Sequence, residues 1–168
     1  MIDLEQTRFG ALCVADDCLI TLRGGLLGFP DDTRFILIER ERGPIAFLQS
    51  VDSPELAIPV LDGSKLTPPY PTHAPALLGR LAGAPADDLA VFVVVAVDAA
   101  DRSLRANLVA PIVVDTATRK GSQIILPGAG YDARTHILIV DQESATVRDA
   151  RPRAQRSESG SDRDLEEA

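Results

Sequence analysis

The chain has 168 residues, 45% of them hydrophobic but only 4% aromatic and none Trp. That is enough for one domain built on an aliphatic core of Val, Ile, Leu and Ala. A net charge of −8 repels phosphate backbones, which argues against direct nucleic-acid binding and suits a partner with a basic surface. No basic segment followed by an apolar stretch opens the chain. The longest apolar run, Leu89 to Val97, is too short to cross a membrane as a helix. A cytoplasmic protein is expected.

Short β-type runs follow one another along the chain. Arg8 to Val14 and Cys18 to Leu22 flank an Ala15-Asp16-Asp17 turn and predict a hairpin. Within it, Cys13 and Cys18 read as two small buried residues rather than a bridge or metal site. Arg34 to Glu39 follows a GFPDDT corner, and Pro44 to Ser50 and Leu56 to Leu61 flank the polar turn Val51 to Glu55. The segment Pro75 to Ala82 has helical spacing, with Ala74, Leu77, Leu78 and Leu81 on one face, Pro75 in the first turn and Gly83 at the exit. Leu89 to Asp98 is rich in β-branched residues and apolar on both faces, as in a central strand covered on two sides. A turn at Ala99 to Arg102 returns the chain into Leu104 to Asp115; Gln123 to Leu126, His136 to Val140 and a short Thr146 to Arg148 complete the strands.

Strands at short intervals with one short helix predict a mainly β, single-domain, antiparallel barrel-like fold over residues 1–148. Pro111 cannot donate a ladder hydrogen bond, so it marks an edge, a bulge or a corner of its strand. Asn107 just before it is placed to bond backbone there. Residues 149–168 carry six acids and four arginines, a net −2 that leaves −6 to the rest of the chain. With Leu165 as the one large apolar side chain, this tail is expected to be disordered.

No pattern for catalysis, cofactor or metal emerges. His73 and His136 belong to no HxxxH, HExxH or HxH motif. Ser50 has no nucleophile-elbow context, and Gly128-Ala129-Gly130 lacks the third glycine and following helix of a phosphate cradle. The paired carboxylates, Asp16 with Asp17, Asp31 with Asp32, Asp52 with Glu55 and Asp87 with Asp88, fall in predicted turns where Asp bonds local backbone. Arg40 and Arg42 alternate with Glu39 and Glu41 and read as a neutralised turn.

A series of phrases nonetheless recurs in a fixed order. Gly25, Gly28 and Phe29 form a GxxGF corner; Leu48, Gln49 and Ser50 form an LQS phrase before a turn. Asn107, Leu108, Ala110 and Pro111 form NLxAP, and Gln123, Leu126 and Tyr131 form a QxxL strand with a tyrosine beyond it. Together they resemble the flagellar assembly factor FliW family over roughly residues 8 to 140. The strand after LQS departs from the family in lacking an aromatic, reading Leu56-Ala57-Ile58-Pro59-Val60, and Asp62-Gly63 and Pro69-Tyr70 stand where the family has Asp-Pro and Asp-Tyr. The resemblance implies a cytoplasmic, non-enzymatic binding protein. Its implied partners are the RNA-binding translational regulator CsrA, which it antagonises, and newly made flagellin, so that flagellin synthesis follows filament assembly.

An acidic body facing a basic regulator fits that scheme. If the barrel brings its acidic turns to one end, Asp31, Asp32, Asp52 and Glu55 form an anionic rim around apolar edge residues such as Leu26 and Leu27. The alternatives are a small-ligand-binding barrel, which requires a polar-lined interior, and an enzyme, which requires two turn carboxylates converging in a concave site.

Overall fold

The computed structural model describes residues 1–67, 70, 88–126, 132–136 and 138–139. Its strands are β1 (Ile2–Thr7), β2 (Gly10–Val14), β3 (Leu19–Leu22), β4 (Arg34–Ile38), β5 (Ile45–Ser50), β6 (Ala57–Asp62) and β7 (Leu66–Thr67). They continue with β8 (Leu89–Val97), β9 (Leu104–Ala106), β10 (Ile112–Asp115), β11 (Lys120–Gln123), β12 (Thr135–His136) and β13 (Leu138–Ile139). The architecture is mainly β, and seven strands close into a barrel in the order β3-β4-β5-β6-β8-β10-β11 and back to β3. The predicted helix at Ala74 to Ala82, Tyr131, and the tail from residue 149 lie outside the described residues.

Six of the seven pairings in the ring are antiparallel. The seventh, β11 with β3, is the one parallel pair in this otherwise antiparallel ring. The reason is parity: strands that alternate in direction around a ring of odd number must leave one neighbouring pair pointing the same way. That seam is short, matching Lys120 with Thr21 and Gly121 with Leu22.

Alternation along the strands sorts side chains to the two faces. Ile20, Leu22, Phe35, Leu48, Val60, Phe92, Ile112 and Val114 fill the barrel interior, one or two from every strand of the ring but β11. Their packing weighs against a small ligand held inside the barrel. On β8, Val93 and Val95 point the other way and join Leu61, Leu66, Tyr70, Ala106 and Leu108 in a second cluster. The two-sided burial expected from the LAVFVVVAV run is therefore present.

The first hairpin differs from its prediction. β2 pairs with β1, with Asp3 opposite Cys13, and the reversal falls at Arg8-Phe9. There the Thr7 hydroxyl donates to Gly10 O and accepts from Phe9 N. A single 3-10 turn at Asp16–Cys18 carries the chain away from this ribbon into β3. β3 already has β4 and β11 as neighbours, so no edge is left for β2. Cys13 and Cys18 are exposed free thiols rather than buried ones. A hydrogen bond with Asp3 raises the Cys13 pKa.

The Leu104 to Asp115 run is divided as Pro111 requires. β9 and β10 both pair antiparallel with β8, but Ala106 faces Val95 whereas Ile112 faces Phe92. Residues 107–111 thus bulge out of one long hairpin arm. The bulge's backbone groups find partners one by one, as a buried segment must. Asn107 N donates to Val94 O, and its side-chain Oδ1 accepts from Val109 N and Ala110 N, each at 3.2 Å. Leu108 O accepts from the Tyr70 hydroxyl at 2.7 Å. Ile124 N donates to Pro111 O and Leu126 N to Val109 O.

Asn107→Ala removes the acceptor for two amides in a tightly packed loop. A loss of about 1–3 kcal/mol is expected, read as a lower midpoint in urea unfolding at unchanged slope. A midpoint equal to that of the parent would show that the amide is not structural.

Candidate protein interface

Because β3 and β11 run parallel, both leave the barrel at the same end. β3 passes into the Gly25 to Asp32 corner and β11 into Ile124 to Leu126, side by side. Gly25 adopts φ +66°, and a Cβ there would lie 2.4 Å from Phe29 O, so only glycine fits where the corner folds back on itself. Phe29 N then donates to Leu26 O at 2.8 Å, and Leu26 N to Phe29 O at 3.1 Å. Gly28, at φ +89°, holds the third position of this turn, where a type II turn demands positive φ.

The turn divides its leucines. Leu26, expected at the apolar edge, is 3% exposed and packs in the barrel interior. Leu27 at the tip is 55% exposed, Phe29 40%, and Ile125 on the adjoining segment 56%. Gln123 fastens the tip: its Oε1 accepts from Leu27 N at 2.7 Å, and its Nε2 donates to Ala110 O at 2.9 Å. One amide thus joins the GxxGF corner, the NLxAP bulge and the QxxL strand.

The LQS phrase works in the same way on the neighbouring turn. Gln49 is fully buried, and its Nε2 faces Ser50 O, Pro54 O and Leu56 O at 2.7–3.1 Å. The buried Ser50 hydroxyl donates to Asp32 and accepts from Asp52 N and Ser53 N. These contacts occupy Ser50 in holding the turn.

The two acidic turns do meet, but not as a rim of four equivalent charges. Asp32 is buried against Ser50. Asp52 accepts from Thr33 N and Arg34 N at 2.9 and 3.0 Å, and both guanidinium contacts from Arg34 are 2.7 Å. Those bonds need the two turns folded together, so Asp32 and Asp52 serve as ties. Asp31 and Glu55 remain exposed. Burial pushes the Asp52 pKa up, but donation by the Thr33 and Arg34 amides and the Arg34 guanidinium outweighs it, and the net shift is downward.

Sequence reasoning did not single out Arg34, Tyr70 or Ile125. Ile125 had a signal, since in the adjacent pair Ile124-Ile125 alternation turns one side chain outward. Arg34 and Tyr70 act through contacts distant in sequence, for which no local pattern exists. Among the described residues no group of three His, Cys, Asp or Glu side chains is placed to hold a metal.

Three consequences are measurable. Leu26→Ala should lower stability by about 2–5 kcal/mol, whereas Leu27→Ser should leave it within about 0.5 kcal/mol; equal effects would contradict the division of the turn. Asp52 has a depressed folded pKa, so its stabilisation is present above the unfolded carboxylate value of about 3.9. It is lost as pH falls through the lower folded value. Acid unfolding of Asp52→Asn should therefore show a weaker pH dependence below about pH 4 than that of the parent, and superimposable pH profiles would refute the assignment.

Comparison with known proteins agrees with this construction. The family model described as FliW protein matches residues 3–137. The flagellar assembly factor FliW of Syntrophus aciditrophicus is 31% identical over 137 residues, covering 80% of this chain and 87% of the relative. That of Thermotoga neapolitana is 31% identical over 143 residues, covering 83% and 95%. A crystal structure of the flagellar assembly factor FliW shares the fold with a TM-score of 0.69 at 24% identity, covering 80% of this chain and 95% of that one.

Proposed function

Because this chain belongs to the FliW family of flagellar assembly factors, we propose that it works as a non-enzymatic cytoplasmic binding protein for a CsrA-type translational regulator and for flagellin. In this reading flagellin and the regulator draw on the same pool of factor. When flagellin is exported, the freed factor takes up the regulator and flagellin mRNA is translated. The coupling is thermodynamic linkage, in which each partner shifts the other's equilibrium by its differential affinity. No cofactor, nucleic acid or membrane enters the scheme.

One observation carries the reading. Leu27 and Phe29 stand exposed on a corner made rigid by Gly25, Gly28 and Gln123, with exposed Asp31 next to them and Glu55 on the turn tied to that corner. Apolar side chains held in one geometry bind with little loss of conformational freedom. Acidic side chains around them steer a basic partner. Asp32 and Asp52 enter this interface only as supports for the loops.

The test uses the purified chain and a purified CsrA-type regulator. Asp31→Lys with Glu55→Lys should slow association about tenfold at low salt. The difference should shrink as salt rises, because exposed charges are screened over about 10 Å at 0.1 M. Leu27→Asp should weaken equilibrium binding by about 2 kcal/mol or more while leaving the unfolding midpoint in place. Addition of flagellin should release the bound regulator. Unchanged binding by both folded variants would place the regulator's contact elsewhere, and no binding by the parent chain would overturn the proposal.

A further inference from the structure

Directly over the parallel seam lies a cleft of about 490 Å³, lined among others by Thr21, Arg23, Asp115, Lys120 and Ser122. The register explains the lining. Lys120 stands opposite Thr21 and Gly121 opposite Leu22, and Leu22 points into the core. Thr21 on β3 and Arg23 just past its end, where Arg23 N still donates to Gly121 O, therefore share one outer face with Lys120 and Ser122 of β11. Two cations and two hydroxyls converge on one outward-facing hollow, contributed equally by the two strands of the seam.

Neither cation is ion-paired: among the described residues no acid pairs with Arg23 or Lys120. Asp115 is the acid in the lining, directly across from Lys120. It turns its oxygens to its own loop, accepting from Ala117 N, Thr118 N and the Thr118 hydroxyl. Arg34, in register with Thr21 on the far side, is held by Asp52. On a chain of net charge −8, two basic side chains in no ion pair, set against the one carboxylate of Asp115, reverse the prevailing field locally.

We propose that this cleft binds a phosphate-class oxyanion, clamped by Arg23 and Lys120 from opposite strands and receiving hydrogen bonds from the Thr21 and Ser122 hydroxyls. Guanidinium and hydroxyl donors suit a tetrahedral anion with oxygens on every side. A bound anion bridges the one parallel pair of the barrel and so stabilises its closure. The site is separate from the Leu27 corner, and its standing does not depend on the regulator or flagellin.

Amide spectra of the full chain are recorded while inorganic phosphate replaces chloride at constant ionic strength. Saturable shifts are expected at Thr21, Arg23, Gly121 and Ser122. The double variant Arg23→Gln with Lys120→Gln should weaken phosphate at least about tenfold, the equivalent of one charge-assisted contact. Its unfolding midpoint without phosphate should match that of the parent; if it does not, Thr21→Val with Ser122→Ala takes its place. Phosphoserine is the second probe: tighter binding than inorganic phosphate assigns the site to a carried monoester, and equal binding to the free anion. Shifts that never saturate with either probe, or saturable shifts that survive the substitutions, overturn the proposal.

Discussion

An odd number of strands in a closed ring governs this molecule. Six neighbours run antiparallel, and the seventh contact, β11 with β3, has to be parallel. A parallel pair releases both chains at the same end of the barrel, whereas an antiparallel pair would release them at opposite ends. The corner after β3 and the segment after β11 consequently emerge together. Gln123 can then reach Leu27 N on one side and Ala110 O on the other. The exposed apolar corner follows from a topological requirement on the whole sheet.

Irregular backbone at that end is maintained by polar side chains that leave few groups unpaired. Asn107 takes two amides of the bulge, Tyr70 one carbonyl, Gln123 a carbonyl and a turn amide, and the Gln49 amide faces the carbonyls of Ser50, Pro54 and Leu56 around the neighbouring turn. Each replaces a ladder bond that Pro111 or a loop has removed. In low dielectric such bonds matter most through the penalty for losing them. Asn107, Gln123 and Gln49 belong to the phrases that mark the family. Their contribution is a fixed loop geometry, and the exposed side chain on the corner, Leu27, lies between Gly25 and Gly28 in sequence.

Much of the barrel was legible. Alternation and β-branched runs located β3 to β6 and β8 to within a residue or two, and Pro111 with Asn107 marked the bulge from chemistry alone. The ribbon β1 was missed because Ile2-Asp3-Leu4-Glu5-Gln6 offers two apolar residues, of which only Leu4 is buried. The hairpin was misassigned because two runs separated by a turn pair only if an edge is free, and β3 has both edges occupied. At the Gly25 to Asp32 corner and the 51–56 turn, local pattern located the turns but not the direction of each side chain. Leu26 and Leu27 are indistinguishable in a list of residues. The turn closed by Gly28 sends one inward and the other outward. Asp32 and Asp52 looked like solvent-facing turn acids, yet their partners Ser50 and Arg34 come from other strands, where local reading has no reach.

The central physical claim is that Gln123, delivered by the parallel seam, holds the corner on which Leu27 is displayed. Hydrogen exchange at the Leu27 amide tests it most directly, because the Leu27 side chain is exposed while its N–H is bonded to Gln123. In the parent chain this amide should be protected despite its place at a surface tip. In Gln123→Met it should exchange at least about tenfold faster, while the Leu48 amide in the core keeps its protection. A Leu27 amide that exchanges freely in the parent, or at the same rate in the folded variant, would contradict the account.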